Sequence, residues 1–130
     1  MDYKEIIEKA VEAKNNSYSP YSKFRVGAAL ITEDGEIFTG ANIENASYGL
    51  TICAERTAAF SAVLAGEKNF KAIVIASDSQ DYISPCGACR QVMAELCGLD
   101  IDVVMLNSEK DYKVAKLKEL LPYSFDKDAL

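Results

Sequence analysis

Two short apolar runs, Phe70–Ala76 and Ile101–Leu106, constrain the fold more than any other feature of this chain. The stretch between them opens on Ser84-Pro85 and stops at Gly98. A serine at the cap, a proline in the first turn and a terminal glycine are the punctuation of one helix, expected to run to about Cys97. Strand, helix and strand in that order form a βαβ unit, whose two strands lie parallel across a right-handed crossover. The chain is therefore expected to build a sheet covered by helices.

The flanking segments extend that sheet. Asp2 can cap a helix to about Asn16, because Tyr3, Ile6, Ile7, Ala10, Val11 and Ala13 keep the spacing of one buried stripe. Residues 15–21 break the pattern at Pro20. Phe24–Thr32 reads as a strand, Glu33-Asp34-Gly35-Glu36 as a hairpin turn, and Ile37–Gly40 as the returning strand. Asn42–Leu50 reads as a polar loop, and a second helix runs from Cys53 to about Ala65, ended by Gly66. The Asn107–Lys110 turn is too short for a crossover, so Tyr112–Ala115 is expected as an antiparallel last strand. Leu117–Leu121 closes the chain as a short helix before Pro122. The predicted order is α-β-β-α-β-α-β-β-α. That is an α/β fold, a three-layer α/β/α sandwich around a five-stranded mixed sheet, in a single domain over residues 1–130.

Composition narrows the chemistry. The 130 residues include no histidine, so no Ser-His-Asp or Cys-His arrangement exists and no imidazole holds a metal or moves a proton. A net charge of −6, without any Lys/Arg run, argues against a nucleic-acid partner. Lys113, Lys116 and Lys118 alternate with apolar residues and read as a solvated face. No stretch approaches the ~20 apolar residues of a membrane span. The opening Met1-Asp2-Tyr3-Lys4-Glu5 is too polar for a signal peptide. A cytoplasmic protein is expected, and disulfides are rare there. Cys53, Cys86, Cys89 and Cys97 then need another explanation.

Three of these cysteines fall at helix starts, in Cys53-Ala54-Glu55-Arg56 and in Pro85-Cys86-Gly87-Ala88-Cys89-Arg90. Three thiolates around Zn²⁺ leave a fourth position open, the layout of a catalytic zinc site, and helix N-termini favour thiolate. A lone C-x-x-C could equally be a redox pair or half of a structural zinc site. A structural site wants four protein ligands, however, and Cys97 lies too far along the helix to join; it reads as a small core residue. A redox pair gives Cys53-x-Glu55 no purpose. Glu55, two residues from a ligand, can face the open position as an acid and base without binding metal. Three thiolates would leave the site negatively charged, and Arg56 together with the two helix N-termini can offset this, Arg56 by hydrogen-bonding a sulfur.

The pattern Cys53-x-Glu55 … Pro85-Cys86-x-x-Cys89 resembles the signature of the zinc-dependent nucleoside deaminases. With cysteine as first ligand, the chain is similar to their small homotetrameric cytidine deaminases. Tyr18-Ser19-Pro20-Tyr21-Ser22-Lys23-Phe24, Val26-Gly27-Ala28-Ala29-Leu30, Gly40-Ala41-Asn42-Ile43-Glu44-Asn45-Ala46 and Glu119-Leu120-Leu121-Pro122 extend the likeness over nearly the whole chain. The resemblance implies one zinc per subunit on Cys53, Cys86 and Cys89, with Glu55 as proton shuttle. It implies that Phe24 packs on the pyrimidine, that Asn42 and Glu44 bond the ribose 3′-hydroxyl, and that the backbone at Ala54 meets the base carbonyl. Ala46, Tyr48 and Phe125 would reach a neighbouring subunit's site, and Arg56 and Arg90 would lie beside the thiolates. The implied reaction is hydrolysis of cytidine and deoxycytidine to uridine and deoxyuridine with release of ammonia, by zinc-activated water, in pyrimidine salvage. A blasticidin-S-type or other small-molecule zinc deaminase is the alternative within the class. A non-catalytic zinc module and a pure interaction protein are the alternatives outside it.

Overall fold

The computed structural model describes residues 2–130. Its elements are α1 (Lys4–Ala13), β1 (Val26–Thr32), β2 (Ile37–Ala41), α2 (Ala54–Leu64), β3 (Phe70–Ser77), α3 (Gly87–Leu96), β4 (Asp102–Leu106), β5 (Tyr112–Lys116) and the single turn α4 (Leu117–Leu120). The sheet order is β2-β1-β3-β4-β5. β3 and β4 run parallel, as the βαβ reading requires, and the other neighbours are antiparallel. The five-stranded mixed sheet and its antiparallel last strand are as the sequence predicts.

Alternation along the central strands makes three layers. Ala29, Ile31, Ala72, Val74, Ala76, Val104 and Leu106 face α1 and meet Ile6, Ile7 and Ala10. Their neighbours Ala28, Leu30, Ile73, Ile75, Val103 and Met105 face the other way, onto Ala54, Ala58 and Ala62 of α2 and Cys89 and Met93 of α3. Strands buried on both faces read as continuous apolar runs, which explains their legibility.

The end of the sheet that carries the cysteines is set by a close approach. A Cβ at Gly40 of β2 would lie 2.3 Å from Thr57 Oγ1, 2.4 Å from Ala58 N and 2.5 Å from Ala54 O. Only a glycine lets α2, with its small alanine face, seat its first turn directly on the strand backbone. The Thr57 hydroxyl donates across that contact to Ala41 O, at 3.0 Å.

Boundaries shift where side chains compete with regular structure. The first α-helix stops at Ala13 and tightens to a 3₁₀ turn over Lys14–Asn16. Asp2 accepts from Lys4 N but Tyr3 holds the cap position. Phe24 precedes β1 instead of opening it: the Asn42 side chain takes Val26 N and Phe24 O, the groups a strand partner would have paired. α3 begins two residues beyond Pro85, with extended Cys86 at its cap, and α2 likewise begins after an extended Cys53. The polar loop after β2 is more ordered than its composition suggests. Ile43 pairs with Ile52 on one side and its neighbours bond Tyr18 on the other.

Candidate active site

Cys53 and Cys86 cap α2 and α3, and Cys89 lies in the first turn of α3. Extended backbone at each cap aims the sulfur back toward the other helix start. Cys53 Sγ lies 3.7 Å from Cys86 Sγ, and Cys86 Sγ lies 3.4 Å from Cys89 Sγ. The three sulfurs all fall within 4.8 Å of one another. A tetrahedral zinc with Zn–S bonds near 2.3 Å needs sulfurs about 3.8 Å apart, so the cluster fits that ion with slight expansion. Among the described residues three soft donors converge with no fourth protein ligand, which leaves one position free. Cys97 caps the far end of α3 and packs against the core; burial pushes its thiol up to about 12, which keeps it inert.

The cluster's electrostatics follow from its neighbours. Arg56, one helical turn after Cys53, points Nη2 at the Cys53 sulfur at 3.5 Å. The hydrogen bond from the Cys89 thiol, together with the Arg56 guanidinium, holds the Cys53 thiol down at about 5 against its burial. The Cys89 thiol is pushed up by that same bond and by burial. Arg90 directly follows Cys89. Its guanidinium bonds Pro85 O (2.8 Å), Leu120 O (2.7 Å) and Ser84 Oγ (3.3 Å), and so ties the α3 start to α4 instead of serving the sulfurs.

Glu55 is 4% exposed, beside fully buried Ala54, in the first turn of α2. Burial, aided by negative charge at Cys53, pushes its carboxyl up to about 7. A buried carboxyl beside an open metal position, able to take either protonation state, is equipped to accept and return a proton.

The loop after β2 carries a second group. Asn42 accepts from Val26 N (2.9 Å) and donates to Phe24 O (2.9 Å), with Ser17 Oγ bonded to its Oδ1. Glu44 accepts from Tyr21 N and Ser22 N at 3.1 Å each and from the Ser22 hydroxyl. The Ser22 bond holds the Glu44 carboxyl below its usual range. Tyr21, Ser22, Glu44, Tyr48 and Thr51 line a shallow cavity of about 320 Å³. Tyr48 meets Tyr21 edge-on at 6.3 Å. Ala46 and Phe125 are exposed outside this cavity, and Phe125 is fastened through its carbonyl to Gln91 of α3 at 2.7 Å. Ser17 and Ser22 escaped the sequence reading. Their bonds to Asn42 and Glu44 span more than twenty residues, and the available signal was two serines around a Pro-Tyr turn.

The chain is similar in sequence and fold to known proteins. The family model for the cytidine and deoxycytidylate deaminase zinc-binding region matches residues 1–106. A cytidine deaminase of Halalkalibacterium halodurans is 50% identical over 96% of this chain and 95% of its own. The crystal structure of cytidine deaminase from Burkholderia pseudomallei superposes with a TM-score of 0.93 at 50% identity, covering 96% of this chain and 100% of that one. A blasticidin-S deaminase of Bacillus cereus is similar at 34% identity over 95% of this chain and 92% of its own.

Proposed function

The chain belongs to the cytidine and deoxycytidylate deaminase zinc-binding family, and from that premise we propose that it hydrolyses cytidine and deoxycytidine to uridine and deoxyuridine, releasing ammonia. The observation that carries the reading is the three-sulfur cluster of Cys53, Cys86 and Cys89 with buried Glu55 beside it, the groups this chemistry needs. Identity of 50% to a cytidine deaminase against 34% to a blasticidin-S deaminase supports the nucleoside over the other small-molecule substrate.

In this reading Cys53, Cys86 and Cys89 hold one zinc ion. When bound, the ion supplies Lewis acidity that makes water a nucleophile at neutral pH. Glu55 takes the proton from that water and delivers it to N3 of the base. As the water oxygen bonds to C4, Glu55 takes that oxygen's remaining proton and passes it to the amine, so that the C–N bond breaks, ammonia leaves and C4 keeps the oxygen as a carbonyl. One carboxylate serves as base and then acid because its buried site tolerates both states. The Ala54 backbone meets the base carbonyl, Phe24 packs on the pyrimidine, and Asn42 and Glu44 bond the ribose. Arg56 compensates the excess negative charge of three thiolates.

We read residues 1–130 as one domain working in pyrimidine salvage in the cytoplasm, as a homotetramer whose neighbours contribute Ala46, Tyr48 and Phe125 to each other's sites. The exposure of Tyr48 (75%) and Phe125 (61%) supports the shared site. Among the described residues no helix is long and apolar enough to cross a membrane.

Ultraviolet assay of cytidine loss, with zinc counted per chain, tests the reaction. Glu55→Gln should lose about 10²–10⁴-fold in turnover, the usual weight of a general acid–base, while retaining zinc. Full activity in that variant would sink the assignment.

A further inference from the structure

Ser22 is exposed and belongs to neither core cluster, yet its side chain stands at the junction of two groups the reaction uses. Its hydroxyl has a single proton, and that proton is spent on Glu44 Oε2. The oxygen's lone pairs then accept the Phe24 backbone N–H at 3.0 Å. The directions are unambiguous, because a backbone N–H can only donate and an ionised carboxylate can only accept. Glu44 is therefore gripped through both oxygens by the Tyr21–Ser22 turn: two backbone N–H groups on Oε1 and one hydroxyl on Oε2.

Between Ser22 and Phe24 the backbone is unusual. Lys23 has φ of 61°, the left-handed region that a long side chain enters at a cost. Lys23 N donates to Ser19 O at 3.0 Å on one side of it, and the Ser22–Phe24 bond clasps the other. Such a conformation persists where its surroundings over-determine it. The carbonyl of Phe24 is tied in turn to Asn42 Nδ2 at 2.9 Å. Phe24 is thus held at its N–H, through Ser22, to Glu44, and at its C=O to Asn42. These anchors lie two positions apart on one loop, and that loop is braced against Ile52, next to the first cysteine.

We propose that Ser22 is a positioning residue for nucleoside binding: its hydroxyl joins the Glu44 carboxylate to the backbone carrying Phe24, so that the sugar contact and the base contact move as one rigid unit. The proposal rests on the reading of Phe24 as the base contact and Glu44 as a sugar contact. Removing the hydroxyl leaves Glu44 with its two backbone donors. It frees the Lys23 turn and strips Phe24 N of its partner, so sugar and base are no longer placed together. The loss should fall on substrate capture and leave the chemistry at Glu55 alone.

The test is steady-state kinetics of Ser22→Ala, Ser22→Thr and Glu44→Gln on zinc-loaded enzyme, with cytidine and 3′-deoxycytidine as substrates and thermal melting alongside. Ser22→Ala should raise KM for cytidine about tenfold, the weight of one charge-assisted hydrogen bond, with kcat within about twofold. The preference for cytidine over 3′-deoxycytidine should shrink in the same variant, and Ser22→Thr should restore both. Unchanged KM in Ser22→Ala, beside a raised KM in Glu44→Gln, would overturn the proposal and leave the sugar reading intact. A fall in kcat that tracks the melting temperature, without rescue by threonine, would reduce Ser22 to a structural role. Unchanged KM in Glu44→Gln would remove the sugar reading and this proposal with it.

Discussion

Arg56 shows how a single residue answers a charge problem. Its Nη2 reaches the Cys53 sulfur at 3.5 Å, while its Nε is buried without a hydrogen-bond partner among the described residues. A buried unsatisfied N–H costs about 1–3 kcal/mol, so the guanidinium is held there by something worth more than its own comfort. The Cys53 sulfur, with its lowered pKa, supplies that attraction, and the charge of three zinc-bound thiolates would add to it. Replacing Arg56 by alanine should therefore raise the thiol pKa values and weaken zinc binding about 10–100-fold, the usual weight of such a partner. Competition with a chromogenic chelator measures this directly, and unchanged affinity would remove the role. At this scale the sequence was legible where spacing is local: Cys53, Glu55 and Arg56 within one turn, Cys86 and Cys89 within another. The hydrogen bonds of Arg90 were not legible, because Pro85 O and Leu120 O are carbonyls that no side-chain pattern records. The role of Ser22 was not legible for another reason: its acceptor, the Glu44 carboxylate, lies 22 positions along the chain.

Among the elements, the seat of α2 on β2 decides where Cys53 and Glu55 stand. The helix brings alanines to the strand and the strand answers with Gly40, so the backbones touch. Gly40→Ala would drive a methyl to within 2.5 Å of three atoms of α2. Overpacking of this kind costs about 1–3 kcal/mol. Because the displaced atoms belong to the turn that follows Cys53, zinc affinity should fall together with the melting temperature. A variant that melts earlier yet binds zinc as tightly as the parent would show that the contact serves stability alone. Strand pairing and helix order were readable from apolar runs and glycine stops, since burial on both faces writes itself into composition. Helix starts were less readable. Ser84-Pro85 carries the usual start signal, but α3 waits until Gly87 so that an extended Cys86 can turn its sulfur toward α2. The truncation of β1 is a matching case, in which one asparagine side chain displaces a strand partner. In both places the departure from local rules falls at the site, where function competes with propensity.

The whole molecule leaves its site uncovered. Cys86, Gly87 and Ala88 are exposed, Tyr48 stands 75% exposed at the cavity, and Phe60 (41%), Val63 (41%) and Leu64 (89%) present an apolar stripe on the outer side of α2. Water-excluded sites make stronger electrostatic use of their groups, and a stable interface buries about 800 Å² per partner, so a second copy seated there would serve both needs. Complementation tests this arrangement more sharply than mass alone. A Phe125→Ala chain keeps its own Glu55 but denies Phe125 to its neighbour; a Glu55→Gln chain is inert but still offers Phe125. If sites are shared, co-expressed hybrids place an intact Phe125 over an intact Glu55, and turnover per Glu55 should exceed that of the Phe125→Ala parent. Sedimentation of the same samples should give four chains per particle. Hybrids no more active per Glu55 than that parent would mean that Phe125, fastened to Gln91 of its own α3, serves only its own chain.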